Sequence, residues 1–145
     1  MRDPIERALP LEKKLLVVID GGKGIRKSIN EVFGQDAIIQ RCQVHKKHNV
    51  LEHLPEVKRP WVIRIMNEAY NEANYERSKN MLLSLATKLE QQYPSAAASV
   101  LEGLEETLTV IKLELSLSLQ KSFSSTNLIE IMLSTIIRVQ SNVKR

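Results

Sequence analysis

Asp20 is the residue around which a reactive centre is easiest to imagine in this sequence. It closes the apolar run Leu15-Leu16-Val17-Val18-Ile19 and is followed by Gly21, Gly22 and Gly24. A carboxylate fixed at the carboxyl end of a rigid strand and open to solvent suits a hard divalent cation, and open α/β sheets place their ligands at that end. Such a cation would touch nucleic-acid phosphates. The same aspartate also suits the start of a tight turn made with the glycines. Cys42 and His45 bring a thiol and an imidazole within three residues of each other. A closed zinc site takes four ligands, so this pair packs beside a site more readily than it makes one.

Gly21 to Ser28 nearly spells a phosphate-binding loop, which needs Gly-x-x-x-x-Gly-Lys-Ser/Thr. Arg26 stands where the second glycine belongs. A β-carbon and a long cation there would crowd the amides meant to wrap a phosphate. A nucleotide-binding βαβ protein is therefore the weaker reading of this stretch.

The elements that must position these groups are legible from hydrophobic period and punctuation. Leu15–Ile19 reads as a strand buried on both faces, and Ile25 to about Phe33 as a basic helix ended by Gly34. Residues 37–42 read as a second strand, so residues 15–42 form a βαβ unit with parallel strands. A helix follows from Gln43 to Leu54, with Val44, Val50, Leu51 and Leu54 on its apolar face. His45, Lys46, Lys47 and His48 form its basic first turn, which is the unfavourable end of the helix dipole for cations and invites a nearby anion. Pro60 opens the next helix, with Trp61, Ile65 and Ala69 inward. Trp61 reads as a tryptophan capping a helix hairpin in preference to a base-stacking one. Another helix runs through Met81, Leu82, Leu85 and Leu89. A third is expected unbroken from Ser95 to about Leu115, with Gly103 weakening it slightly. Residues 122–126 form a polar linker. Asn127 caps a last helix with Glu130 three residues on, and Ile129, Leu133, Ile136 and Ile137 face inward. The lead-in, residues 1–14, is polar and broken by Pro4 and Pro10.

A chain of 145 residues, 43% hydrophobic and 26% charged, has enough material for one globular domain and is not disordered in composition. No apolar run approaches a membrane span, and one cysteine excludes an internal disulfide and fits a reducing cytoplasm. Charge is uneven along the chain. Residues 1–64 hold 13 Lys/Arg against 8 Asp/Glu, residues 65–120 hold 4 against 8, and residues 121–145 hold 4 against 1. Basic ends and an acidic middle fit ends that face a polyanion around a solvated helical module.

Three stretches together carry a resemblance. Asp20-Gly-Gly-Lys-Gly24-Ile25, then Gln40-Arg41-Cys42-Gln43-Val44-His45 with Asn49 beyond, then Ser125-Thr126-Asn127-Leu128-Ile129-Glu130, resemble the Mutator-type transposases of bacterial insertion sequences. The resemblance runs from about Ile5 onward and includes Tyr93-Pro94-Ser95-Ala96-Ala97 and Leu104-Glu105-Glu106. It implies an α/β, mostly helical fold: a partial RNase H-like (retroviral-integrase-like) catalytic domain with an all-α insertion, its first strands missing. Residues 1–56 would be the partial core, residues 57–120 the insertion, and residues 121–145 the final core helix carrying Glu130.

The resemblance further implies three metal-binding acids, of which Asp20 and Glu130 match the second Asp and the Glu, with Mg²⁺ or Mn²⁺ as cofactor. Cys42 and His45 match the family's Cys-x-x-His signature. Lys23, Arg26, Lys27, Lys46 and Lys47 would track the DNA backbone at insertion-sequence ends and target DNA. Family members act as multimers, which implies homo-oligomeric assembly without a membrane. His48 stands where the family has arginine, and Ile131 where it has serine. With the first Asp expected upstream, the chain reads as the carboxyl-terminal part of a transposase and as a truncated, inactive copy. The alternative is a non-catalytic DNA-binding or self-associating fragment that modulates a full-length enzyme.

Overall fold

Residues 14–127 are described by a computed structural model. The lead-in residues 1–13, Glu130 and the expected stripe Ile129, Leu133, Ile136 and Ile137 lie outside the described residues. Strand β1 (Leu15–Ile19) leads through Gly21 and Gly22 into helix α1 (Lys23–Phe33). Gly34, at φ 55°, turns the chain into a short 3₁₀ segment and strand β2 (Ala37–Arg41). The two strands pair in parallel, with Leu15 opposite Ala37 and Ile19 opposite Arg41, as a βαβ unit requires. The burial differs from expectation. Only Ile19 of β1 is fully buried and the other four residues are half-buried, because β2 is its single partner among the described residues.

The hydrophobic core sits in the helices. After β2 come α2 (Gln43–Glu52), α3 (Arg59–Asn71), α4 (Tyr75–Glu90) and α5 (Pro94–Leu101). Asn74 caps α4 by accepting the Arg77 N–H at 2.9 Å, and Pro94 occupies the first turn of α5, where a missing N–H costs nothing. Leu82, Leu85, Ala86 and Leu89 of α4 meet Ala96, Ala97 and Val100 of α5, small residues that let the two helices pack closely. Val62, Met66 and Ala69 of α3 close the same core, and Trp61 and Ile65 pack half-buried against it. Trp61 is thus a packing residue at the helix surface.

Two expectations about the helices are corrected. The apolar face of α2 is rotated: Val44 is exposed, whereas Lys46 is buried with Val50. The helix expected over Ser95–Leu115 is broken into α5, α6 (Leu104–Thr107) and α7 (Thr109–Lys112), and α8 (Leu117–Phe123) follows. Gly103 takes the left-handed conformation, φ 62°, and the break exposes backbone groups that a continuous helix would have consumed.

Residues of β2 and α2 take up those groups. Gln40, fully buried, donates from Nε2 to the Thr107 carbonyl (2.9 Å) and accepts the Val110 N–H at Oε1 (2.9 Å). Gln43 donates to the same Thr107 carbonyl (3.1 Å), and the Thr109 hydroxyl donates to the Ile39 carbonyl (2.7 Å). The interrupted helix is a polar joint between the sheet and the helical module. Unpaired buried backbone would otherwise cost about 1–3 kcal/mol per group.

Candidate active site

Asp20 stands exposed at the carboxyl end of β1, and its Oδ1 accepts the Gly22 N–H at 3.0 Å. That bond is the turn-making role foreseen for it. It also orients the carboxylate toward solvent, so the two readings are compatible.

Arg41, at the matching end of β2, secures the backbone beneath. It is 5% exposed and donates from Nη1 to the Glu102 carbonyl (3.2 Å), while Nη2 pairs with the Glu102 carboxylate (3.3 Å). The guanidinium lies between two glycines. A β-carbon on Gly21 would fall 2.4 Å from Arg41 Nε, and one on Gly103 would fall 2.8 Å from Nη1. Nε is buried without a hydrogen-bond partner among the described residues. No spacing rule singled out Arg41. The apolar strand before it was the visible signal, and the two glycines it needs lie 20 and 62 positions away.

The basic residues separate into distinct groups. Lys23, Arg26 and Lys27 are exposed on α1. Arg26 pairs with Glu106 at 2.6 Å, and Lys27 lies 3.8 Å from Glu31 one turn on. Together with Arg41, Glu102 and Glu106 they line a cavity of about 550 Å³ beside Gly21. Because α1 already begins at Lys23 and Arg26 is committed to Glu106, no extended loop remains to wrap a phosphate, and the nucleotide-binding reading loses its geometry.

The sequence has Lys46 and Lys47 facing a polyanion. Lys47 is half-buried and donates to Asn67 Oδ1 at 2.6 Å. Lys46 is 1% exposed, and its ammonium donates to the carbonyls of Ser99 and Glu102 at the end of α5. That position is a correction. A cation badly placed at the start of its own helix is well placed at the carbonyl end of a neighbouring one.

Burial and the nearby Arg41 pull the Lys46 ammonium down to about 8, against the opposing pull of Glu102. Below pH 8 the ammonium is charged in both folded and unfolded chains. Between about 8 and the ordinary 10.5 only the unfolded chain keeps its proton, so stability rises with pH there. Urea unfolding at pH 7 and pH 10 should show wild type gaining about 2–3 kcal/mol more than Lys46→Met. Parallel profiles would mean that the ammonium is solvated.

Cys42 is fully buried at the start of α2. Its N–H donates to the Ile19 carbonyl at 2.6 Å, tying the end of β2 to the residue before Asp20. His45 Nδ1 lies 3.1 Å from Cys42 Sγ, and the Thr126 N–H and hydroxyl approach the same sulfur at 3.4 and 3.6 Å. Burial pushes the thiol up. The amides of His45 and Thr126, the Thr126 hydroxyl and the imidazole outweigh it, leaving the thiol below its ordinary range. Among the described residues no three His, Cys, Asp or Glu side chains gather as a metal cluster. Asp20 supplies one hard oxygen donor, which fits Mg²⁺ or Mn²⁺ in kind.

Residues 8–145 match the family described as "Transposase, Mutator family". The chain belongs to that family. This Mutator-family chain is 32% identical over 115 residues to the transposase for insertion sequence element ISRM5 of Rhizobium meliloti (strain 1021), covering 79% of this chain and 28% of that protein. It is 30% identical over 98 residues to the transposase for element IS6120 of Mycolicibacterium smegmatis (68% and 30%). With the transposase for element IST2 of Acidithiobacillus ferrooxidans it shares 28% over 94 residues (65% and 31%). The chain thus spans under a third of the length of these curated relatives. A mostly helical fold with a small parallel sheet is consistent with part of the RNase H-like domain expected of a Mutator-family transposase. No helix among the described residues is long and apolar enough to cross a membrane.

Proposed function

We propose that this chain is part of the catalytic core of an insertion-sequence transposase, in which Asp20 and Glu130 together hold a divalent cation against DNA phosphate. Residues 1–56 contribute the sheet end of the core, residues 57–120 are a helical insertion, and residues 121–145 return the chain to the core. The observation behind this reading is a convergence at one edge. The Gln43 N–H donates to the Ser124 carbonyl at 2.8 Å, Thr126 docks on Cys42, and Cys42 is bonded to the Ile19 carbonyl next to Asp20. Glu130 follows Thr126 by four residues in the sequence, and four residues extend at most about 14 Å.

Mg²⁺ or Mn²⁺ held there would polarise the scissile phosphate and activate the attacking oxygen. The chain's own residues do the rest. The Gly22 N–H orients the Asp20 carboxylate, and Arg41 holds the turn in which it sits. Lys23 and Lys27 on α1, and Lys47 on α2, bind the DNA backbone. Lys46 is left out because its ammonium is consumed inside the fold, and Arg26 acts mainly through Glu106.

Two acids retain a cation less tightly than three, so the 145-residue polypeptide alone is expected to bind DNA without cutting or joining it. Fluorescence anisotropy with a short duplex tests the DNA reading. The logarithm of the affinity should fall linearly with log salt, and Lys23→Ala/Lys27→Ala should reduce the slope by about two. Binding indifferent to salt and to both lysines would remove the DNA-contact assignment. Metal-dependent joining by this polypeptide, abolished in Asp20→Asn, would reject the non-catalytic reading.

A further inference from the structure

Cys42 and His45 have no part in the chemistry above, although the thiol is fully buried one residue beyond β2, beside the strand end that precedes Asp20. Two of the four donors a zinc site needs are present, and no cluster of three exists among the described residues. The sulfur is occupied otherwise. It faces the imidazole of His45 at 3.1 Å and both donors of Thr126, and the Thr126 hydroxyl also lies 3.4 Å from His45 Nδ1. At Cys42 itself and one residue on, the backbone continues the attachment: Cys42 N–H to the Ile19 carbonyl, and Gln43 N–H to the Ser124 carbonyl. Three separate pieces of chain meet at one residue: the end of β1 through the Cys42 backbone, and the start of α2 and Thr126 through its sulfur.

We infer that Cys42 and His45 are positioning residues, a sulfur-centred latch that sets the distance between Asp20 and the segment carrying Glu130. The inference rests on the two-acid reading and deepens it. A thiol suits the task because sulfur is large and accepts donors at 3.4–3.6 Å, beyond the reach of a serine hydroxyl from the same backbone position. His45 sits on the first turn of α2, where it touches both the sulfur and the Thr126 hydroxyl and so keeps the three groups in register. The latch holds the backbone that delivers a ligand, in the way outer-shell groups hold metal ligands elsewhere.

Cys42→Ser and Thr126→Val test it in the full 145-residue chain, read by hydrogen exchange and by Mn²⁺ binding followed by electron paramagnetic resonance. Exchange in residues 122–130 should rise about tenfold or more in both variants while residues 75–101 keep their protection. Mn²⁺ affinity, measured well below the unfolding temperature, should fall about tenfold, a change that lost stability alone would not produce. Should Cys42→Ser fail to fold, Thr126→Val carries the test, because it leaves the buried sulfur in place. Unchanged exchange at residues 122–130, uniform loosening of the whole chain, or stoichiometric zinc lost in Cys42→Ser would each overturn the latch. Mn²⁺ binding that is indifferent to Asp20→Asn and Glu130→Gln would sink the two-acid reading, and the exchange result would still decide whether the latch exists.

Discussion

Gln40→Leu should lower the unfolding free energy by about 3 kcal/mol, enough to threaten a domain of this size. Leucine fills nearly the same volume, so the loss would come from hydrogen bonding and not from a cavity. Gln40 is fully buried and serves three backbone groups: the Val110 N–H, the Thr107 carbonyl and the Arg41 carbonyl at 2.6 Å. Thr107 would keep Gln43 as a donor, whereas the Val110 N–H would lose the Gln40 acceptor while nearly inaccessible to water. Urea unfolding of the variant against wild type at one pH measures the difference. A loss below about 1 kcal/mol would mean that the joint between sheet and helices is not sealed by this amide.

Gly21→Ala carries a comparable penalty, about 2–4 kcal/mol, for two separable reasons. Gly21 has φ 107°, which an L side chain rarely adopts, and its β-carbon would meet the Arg41 guanidinium. Arg41→Ala alone should cost about 2–3 kcal/mol, through the lost bonds to Glu102 and the space left between the glycines. Combined, the two substitutions should cost less than their sum by about 1–2 kcal/mol, because the new β-carbon then has room and only the backbone strain persists. Additive losses would show that Arg41 does not occupy the hollow of Gly21. The cycle also bears on function, since the same turn presents Asp20.

The parts of this fold that follow from local rules were legible in the sequence. The β-branched run, the glycines and the second apolar run specified a parallel βαβ unit, and Pro60, Pro94 and the leucine spacing located the helices. What escaped depends on partners distant in sequence. Gly103 is a mild penalty inside a helix when read locally. It becomes a break because Arg41, 62 positions earlier, occupies the space that its missing side chain leaves. Read from the sequence, Lys46 is a cation facing a polyanion, because nothing nearby shows that the end of α5 offers it two carbonyls. Val44 lost its place in the core for the same reason, as the face of α2 is chosen by the helix packed against it. At the candidate site, Asp20 was readable from its position after a strand. The docking of Thr126 on Cys42 spans 84 positions, and no periodicity announces it.

The claim on which the functional reading depends is that Asp20 and Glu130 share one cation. Paramagnetic broadening of backbone amide signals by substoichiometric Mn²⁺ tests it most directly. Residues 20–22 and residues 128–132 should broaden together at the same Mn²⁺ concentration, and both groups should recover in Asp20→Asn and in Glu130→Gln. Broadening of only one group, or recovery of one without the other, would contradict a shared site.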